Sequence, residues 1–305
     1  MKQMLRMAAV CIGLLLVIAL PVSATEYGAP EITPKTTMKQ LRENPSIKGS
    51  GLYTYVYIWE RDCDLLRHSK DNDTMEQVIG TESVNSCVAG MNYLIETYNA
   101  GTQITYKLFS PEEIAQDASR DRAELYYFPA EQPGAKYAVV LSGNALFYSG
   151  EMRGGVSTAW ELHQQGYAVF ALRYRIGLDA TDNAPLEDLG RAIQFITANA
   201  QQFGVQTEDY ALVGYSSGGQ IAGIFGGKEL GYPNYGVPKP GALLLAYPIN
   251  NFYETKPLYH VLLDTDALER RYYDYNISDC VDADYPPTYF WYGQDDILLI
   301  AFNYW

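Results

Sequence analysis

The sequence predicts an α/β fold, a largely parallel central sheet with helices on both faces. Three observations carry that expectation. From about residue 104 strand-like runs alternate with helix-like ones, the rhythm of strand–helix–strand crossovers. Tyr137–Leu141 is a continuous apolar run, as expected of an interior strand covered on both sides. Tyr210-Ala-Leu-Val213 then runs straight into Gly214-Tyr-Ser-Ser-Gly218 and a small-residue, helix-compatible segment beginning Gly219-Gln220.

Residues 1–24 read as an export signal. Lys2 and Arg6 give the positive start, Met7 to Leu20 the apolar stretch, and Val22-Ser23-Ala24 the small-x-small cleavage pattern. An uncleaved anchor is the competing reading, although the apolar run is short for a span. Residues 25–50, punctuated by Pro30, Pro34 and Pro45, suit a linker or loosely held arm. Within 51–103, Val88, Met91, Leu94, Ile95 and Tyr98 fall at helical spacing, which predicts a helix near 84–99 whose apolar stripe packs on the main domain. Residues 25–103 are thus expected to be a linker and a small, mainly helical extension.

Strands are expected at 104–109, 123–128, 137–141, 167–174, 210–213, 242–247 and 288–292. Helices are expected over 152–165 and from Pro185, where Leu186, Leu189, Ile193, Ile196 and Ala200 mark one face. A tyrosine-rich insertion occupies 249–287. Its Tyr253, Tyr259, Tyr272 and Tyr273 are either a sugar-stacking platform or tyrosines packed at the rim of a core.

Composition narrows the partners. The formal net charge is −14, and removing residues 1–24 takes away two basic residues and no acidic one, so the mature chain is more acidic still. Such a chain repels nucleic acid and anionic membrane surfaces, and no stable membrane association is expected after signal cleavage. Outside the cell, a Cys63–Cys87 disulfide with Cys280 unpaired competes with a reading of three buried thiols. No C-x-x-C and no histidine pair at ligand spacing is present, so no metal is expected.

Gly214-x-Ser216-x-Gly218 between a strand and a helix has a steric logic. A nucleophile held in a strained turn needs neighbours two before and two after that carry no colliding side chain. The Ser216 hydroxyl then stands off the top of the sheet, and the Ser217 N–H faces the same spot as an oxyanion donor.

Several further motifs follow in order: Leu141-Ser-Gly-Asn-Ala145, Gly166-Tyr-Ala-Val-Phe-Ala-Leu-Arg-Tyr-Arg175, Ala184-Pro-Leu-Glu-Asp-Leu-Gly-Arg-Ala192, Ala246-Tyr-Pro248 and Tyr285-Pro-Pro-Thr-Tyr-Phe-Trp-Tyr-Gly-Gln-Asp-Asp296. With them the chain resembles the α/β-hydrolase superfamily over roughly residues 104–296. More closely, it is similar to the secreted bacterial esterase branch that includes acetyl-xylan and feruloyl esterase-like proteins and their peptidase-like cousins, a resemblance that implies no cofactor. The resemblance implies an α/β-hydrolase domain over 104–305 and a serine esterase working through an acyl-enzyme on small-molecule or carbohydrate esters. It implies Ser216 as nucleophile and an oxyanion hole from Gly143, Asn144 and Ser217, although Ser142-Gly143-Asn144 departs from the family's triple glycine. Asp296, in Gly293-Gln-Asp-Asp296, is the implied acid of the triad.

The base is the departure. The family's histidine follows the acid, and Ile297–Trp305 contains none. His68 lies in the N-terminal segment, His163 is expected on the outer face of its helix, and His260 in the insertion is the remote substitute. The expectation is therefore a chain without the last helix and strand of its fold, truncated before the catalytic histidine and with little esterase activity. The alternatives are a prolyl-oligopeptidase-like peptidase or a secreted, non-catalytic binding protein on the same fold. A secreted or cell-envelope location follows from the signal.

Overall fold

The computed structural model describes residues 31–52, 69–143, 150–180, 183–250, 276–294 and 296. Residues 1–30, Cys63, His68, Asn144, most of the tyrosine-rich insertion with His260, Asp295 and the tail from 297 lie outside the described residues.

Seven strands form one sheet: β1 (Thr105–Lys107), β2 (Glu124–Phe128), β3 (Tyr137–Leu141), β4 (Ala168–Arg173), β5 (Ala211–Tyr215), β6 (Ala242–Ala246) and β7 (Thr288–Trp291). Their spatial order is β1-β2-β4-β3-β5-β6-β7. β2 runs antiparallel to β1 and to β4, and the other neighbours are parallel. Every residue of β2 and β3 is buried, which is why the continuous apolar run of β3 reads as it does. From β3 the chain crosses to β4 on one side and then returns to β5 on the other. The carboxyl ends of β3 and β5 therefore flank the point where the winding reverses, the place where open α/β sheets leave a crevice.

One face of the sheet is covered by α7 (Ala184–Ala198) and α9 (Ser217–Phe225), through Leu186, Leu189, Ile193 and Ile221 among others. The opposite face is covered by α4 (Val84–Asn99) and α6 (Ser157–Gln164), the latter entered through a π-helical turn at Glu151–Val156. Gly90 lets α4 come close to α6, since a Cβ there would stand 3.0 Å from Val156 Cγ1 and 3.1 Å from Trp160 Cβ.

The proline-punctuated stretch is not a loose arm where it is described. Thr37 closes a capping box on α1 (Met38–Glu43), and the Asn44 side chain caps α2 (Pro45–Ser50) by accepting from the Ser46 and Ile47 N–H groups. Ile32, Met38, Leu41 and Ile47 are buried in the same apolar cluster as Tyr126, Val140 and Val169 of the sheet. Pro45 starts a helix rather than a linker: it occupies the first turn of α2, where its missing N–H costs nothing. With α3 (Met75–Ile79), these helices continue the layer over the sheet.

Two buried polar groups depart from the sequence expectations or explain a motif. Arg175, just past β4, donates its backbone N–H to Asp188 Oδ2 (2.7 Å) and its Nε to Oδ1 (2.9 Å), while Nη2 reaches the Ala184 carbonyl at 3.1 Å. This fully buried pair ties the end of β4 to the start of α7; breaking it from one side costs about 3–5 kcal/mol. His163 is not on an outer face but only 4% exposed, because α4 lies over that side of α6. Its ring packs 4.4 Å from Tyr93 and 6.2 Å from Phe128, and its Nδ1 is buried without a hydrogen-bond partner. Cys87 is a buried free thiol whose pKa burial pushes up to about 12; Cys63, the partner considered for it, lies outside the described residues.

Burial holds the His163 imidazole below its ordinary 6.5. The unfolded chain takes up a proton near that pH which the folded chain resists, so the histidine's contribution is complete above it and is lost as pH falls through it. His163→Phe is therefore expected to flatten the fall in thermal midpoint between neutral and mildly acidic pH, without loss of stability at neutral pH. Melting curves of both proteins across that range check this.

Candidate active site

The site is built around a backbone conformation. Ser216, between β5 and α9, has φ 50° and ψ −117°, a region that a residue with a Cβ occupies only under strain of about 1–3 kcal/mol. The surrounding backbone holds it there. Its N–H donates to the Ala246 carbonyl of β6 (2.9 Å), and its own carbonyl accepts from Gln220 N–H (2.9 Å) and Ile249 N–H (3.4 Å).

The glycines of the motif permit these approaches. A Cβ on Gly214 would stand 2.5 Å from the Gly218 oxygen and from Gly219 Cα. One on Gly218 would strike the Leu141 carbonyl oxygen and lie 2.7 Å from that of Ser142. Gly219, one place further on, would put its Cβ 3.0 Å from Pro248 Cβ. Backbone therefore lies on backbone where β5, α9 and the end of β3 meet.

Gly143 belongs to the same contact. A Cβ there would meet the Tyr215 carbonyl oxygen at 2.8 Å and Ser216 Cβ at 2.9 Å, so the turn after β3 lies directly against the serine. Gly150 is packed in turn against the Gly143 carbonyl, and Gly154 faces Ser142 Cβ at 3.5 Å. Sequence reasoning missed these two glycines, although their spacing after Gly143 was visible. Asn144 lies outside the described residues.

Ser217 is fully buried at the first position of α9, where the helix dipole favours negative charge.

Asp296 sits in the turn after β7, its N–H donating to the Gly293 carbonyl at 3.2 Å. Burial, and secondarily the charge of Asp296, push the Tyr292 phenol pKa upward. The segment after β6 joins this turn to the serine. Tyr247 N–H donates to the Trp291 carbonyl (2.6 Å) and Tyr292 hydroxyl to the Pro248 carbonyl (3.0 Å), while Ala246 and Ile249 hold Ser216.

His163 is not brought to this place. It packs on Phe128, whose register partner is Val169 near the start of β4, whereas Ser216 follows the end of β5. The two ends are separated by a strand's length, about 15 Å. Among the described residues no group of three or more histidine, cysteine or acidic side chains could hold a metal ion, and no helix is long and apolar enough to cross a membrane.

Comparison with known proteins agrees with this architecture. Residues 124–231 match the family model BD-FAE. An acetyl ester-xyloside bifunctional hydrolase from Caldicellulosiruptor lactoaceticus superposes with a TM-score of 0.53 at 19% identity, over 63% of this chain and 75% of that one. An inhibited esterase B from Lactobacillus rhamnosis gives 0.52 at 18% identity, over 73% and 78% of the two chains. The chain has the α/β-hydrolase fold. Among curated proteins, endo-1,4-beta-xylanase B from Butyrivibrio fibrisolvens is 23% identical over 182 residues, which are 56% of this chain but 27% of the xylanase's length. The chain thus spans about a quarter of that relative.

The elbow makes opposite demands at positions 216 and 218. Ser216→Gly, which accepts the positive φ, is expected to stabilise the fold by about 1 kcal/mol. Gly218→Ala is expected to destabilise it by about 2 kcal/mol or more through backbone overlap. Urea unfolding of the two variants checks the signs.

Proposed function

We propose that the protein is an exported serine carboxylic-ester hydrolase acting through an acyl-enzyme. The observation that carries the reading is the strained Ser216, positioned by close glycine contacts at the carboxyl edge of the sheet with the Gly143 turn against it. Ser216 Oγ attacks the ester carbonyl carbon as a base takes its proton. The C–O bond to the alcohol breaks as the tetrahedral intermediate collapses, the base passing the proton it took to the departing alcohol oxygen. Water then attacks the acyl-serine as the base takes a proton from it, and collapse releases the carboxylic acid while that proton passes to Ser216 Oγ. The N–H groups of Ser217 and Asn144 hold the oxyanion, with Gly143 keeping the approach open. Asp296 acts behind the base by accepting its imidazole N–H.

His163 packs at the far end of the sheet, beside Phe128, and does not serve as the base. In serine hydrolases, a site without that base loses about six orders of magnitude of turnover. The substrates that fit the reading are small acyl esters, including those of carbohydrates; the similar proteins carry the names of an esterase, an acetyl ester hydrolase and a xylanase. The basic start, apolar stretch and small-x-small pattern of residues 1–24 support action outside the cell or at its envelope.

Imidazole in solution tests this directly. Hydrolysis of p-nitrophenyl acetate by the chain is expected to be slow and to rise with added imidazole by about tenfold or more over a Ser216→Ala control. Equal rates for the two proteins at every imidazole concentration would overturn the assignment of Ser216. Fast turnover without imidazole, abolished by His260→Ala, would instead keep the nucleophile and supply the base.

A further inference from the structure

We propose that Tyr247 is a specificity-determining residue of the Ser216 site, its ring forming a wall against which ring-bearing esters lie in preference to open-chain ones. The inference rests on the nucleophile reading above and adds to it a choice of substrate. Among the described residues four non-glycine residues have positive φ: Asn183, Asp209, Ser216 and Tyr247. Asn183 and Asp209 are of the two residue types that tolerate this region through short polar side chains. Ser216 and Tyr247 are not, and they are neighbours across two strands, since Ser216 N–H donates to the carbonyl of Ala246, the residue before Tyr247. A bulky side chain at φ 37° immediately before a proline is doubly disfavoured, because the residue preceding proline belongs in the extended region. Strain of this kind persists where the surroundings impose it and clusters at working sites.

The imposed conformation has a visible result. Tyr247 is 42% exposed, one of few large apolar side chains among the described residues left open to solvent. The ring meets Tyr215, the residue before the serine, edge to face at 6.0 Å. Tyr215 is itself fixed, its hydroxyl 2.8 Å from Thr158 Oγ1 on α6. On the other side, the Tyr247 N–H is held by the Trp291 carbonyl. A rigid aromatic ring is thus fastened at both backbone and edge beside the serine turn, with much of its surface turned to water. Aromatic surface of this kind favours a flat ring over a flexible chain of equal size.

Tyr247→Gly separates a binding wall from a packing role, because glycine accepts the positive φ while deleting the ring. With imidazole present, the ratio of KM for phenyl acetate to KM for ethyl acetate is expected to rise about five- to tenfold, while the thermal midpoint stays level or rises; Tyr247→Phe is expected to keep the original ratio. In the turnover-deficient Ser216→Ala protein, saturation-transfer NMR is expected to show phenyl acetate ring protons in contact, and adding Tyr247→Gly to erase that signal. An unchanged KM ratio together with an unchanged NMR signal would overturn the wall, even if turnover still depends on Ser216. A lowered midpoint at an unchanged ratio would make Tyr247 a packing residue and overturn it too. Loss of the NMR signal on Tyr247→Gly supports the wall even if Ser216→Ala proves not to affect turnover.

Discussion

Three stretches of backbone come closer together in this molecule than any side chain would allow. The end of β3, the turn after β5 and the first turn of α9 touch through Gly143, Gly214 and Gly218, and the Cβ that glycine lacks would overlap a carbonyl oxygen at each contact. Ser216 carries the consequence. Its positive φ is unfavourable alone and is sustained because its N–H and carbonyl are bonded to β6, to α9 and to the segment after β6. The rest of the fold supplies the walls for this arrangement. The sheet's reversal of winding between β3 and β5 places both turns at one edge, and the two helical layers make the strands rigid enough to hold the approach.

That geometry bears on chemistry because it is settled before any substrate arrives. A serine hydroxyl set proud of a strand end, next to the amino end of a helix, needs little reorganisation when charge develops on a bound carbonyl oxygen. The segment Ala246–Ile249 is the mechanical link. It bonds Ser216 on one side and the end of β7 on the other, so the turn bearing Asp296 is registered to the serine through main-chain hydrogen bonds and the Tyr292 hydroxyl.

Much of this was legible in the chain. The apolar run 137–141 and the glycine spacing about Ser216 are signals whose causes are short-range, burial on both faces and missing Cβ atoms, and both are found where expected. The stripe from Val88 to Tyr98 likewise packs on the body of the protein. What was not legible depended on distant partners. Prolines at 34 and 45 read as breakers, yet capping by Thr37 and Asn44 turned their neighbourhood into helices whose apolar side chains close the sheet. His163 read as outward because the sequence did not reveal that α4 lies over α6 through Gly90. The strain at Tyr247 had no local sign, since nothing in Ala-Tyr-Pro announces a positive φ.

The central claim is that the hydroxyl of Ser216, and no other in the chain, is the group that becomes acylated. Peptide mass mapping after incubation with a fluorophosphonate, with imidazole standing in for the base, addresses it most directly. The account predicts a single phosphonyl adduct on the peptide containing Ser216 and none on the Ser216→Ala protein. An adduct on another residue, or a folded protein that takes up none at all, would contradict it.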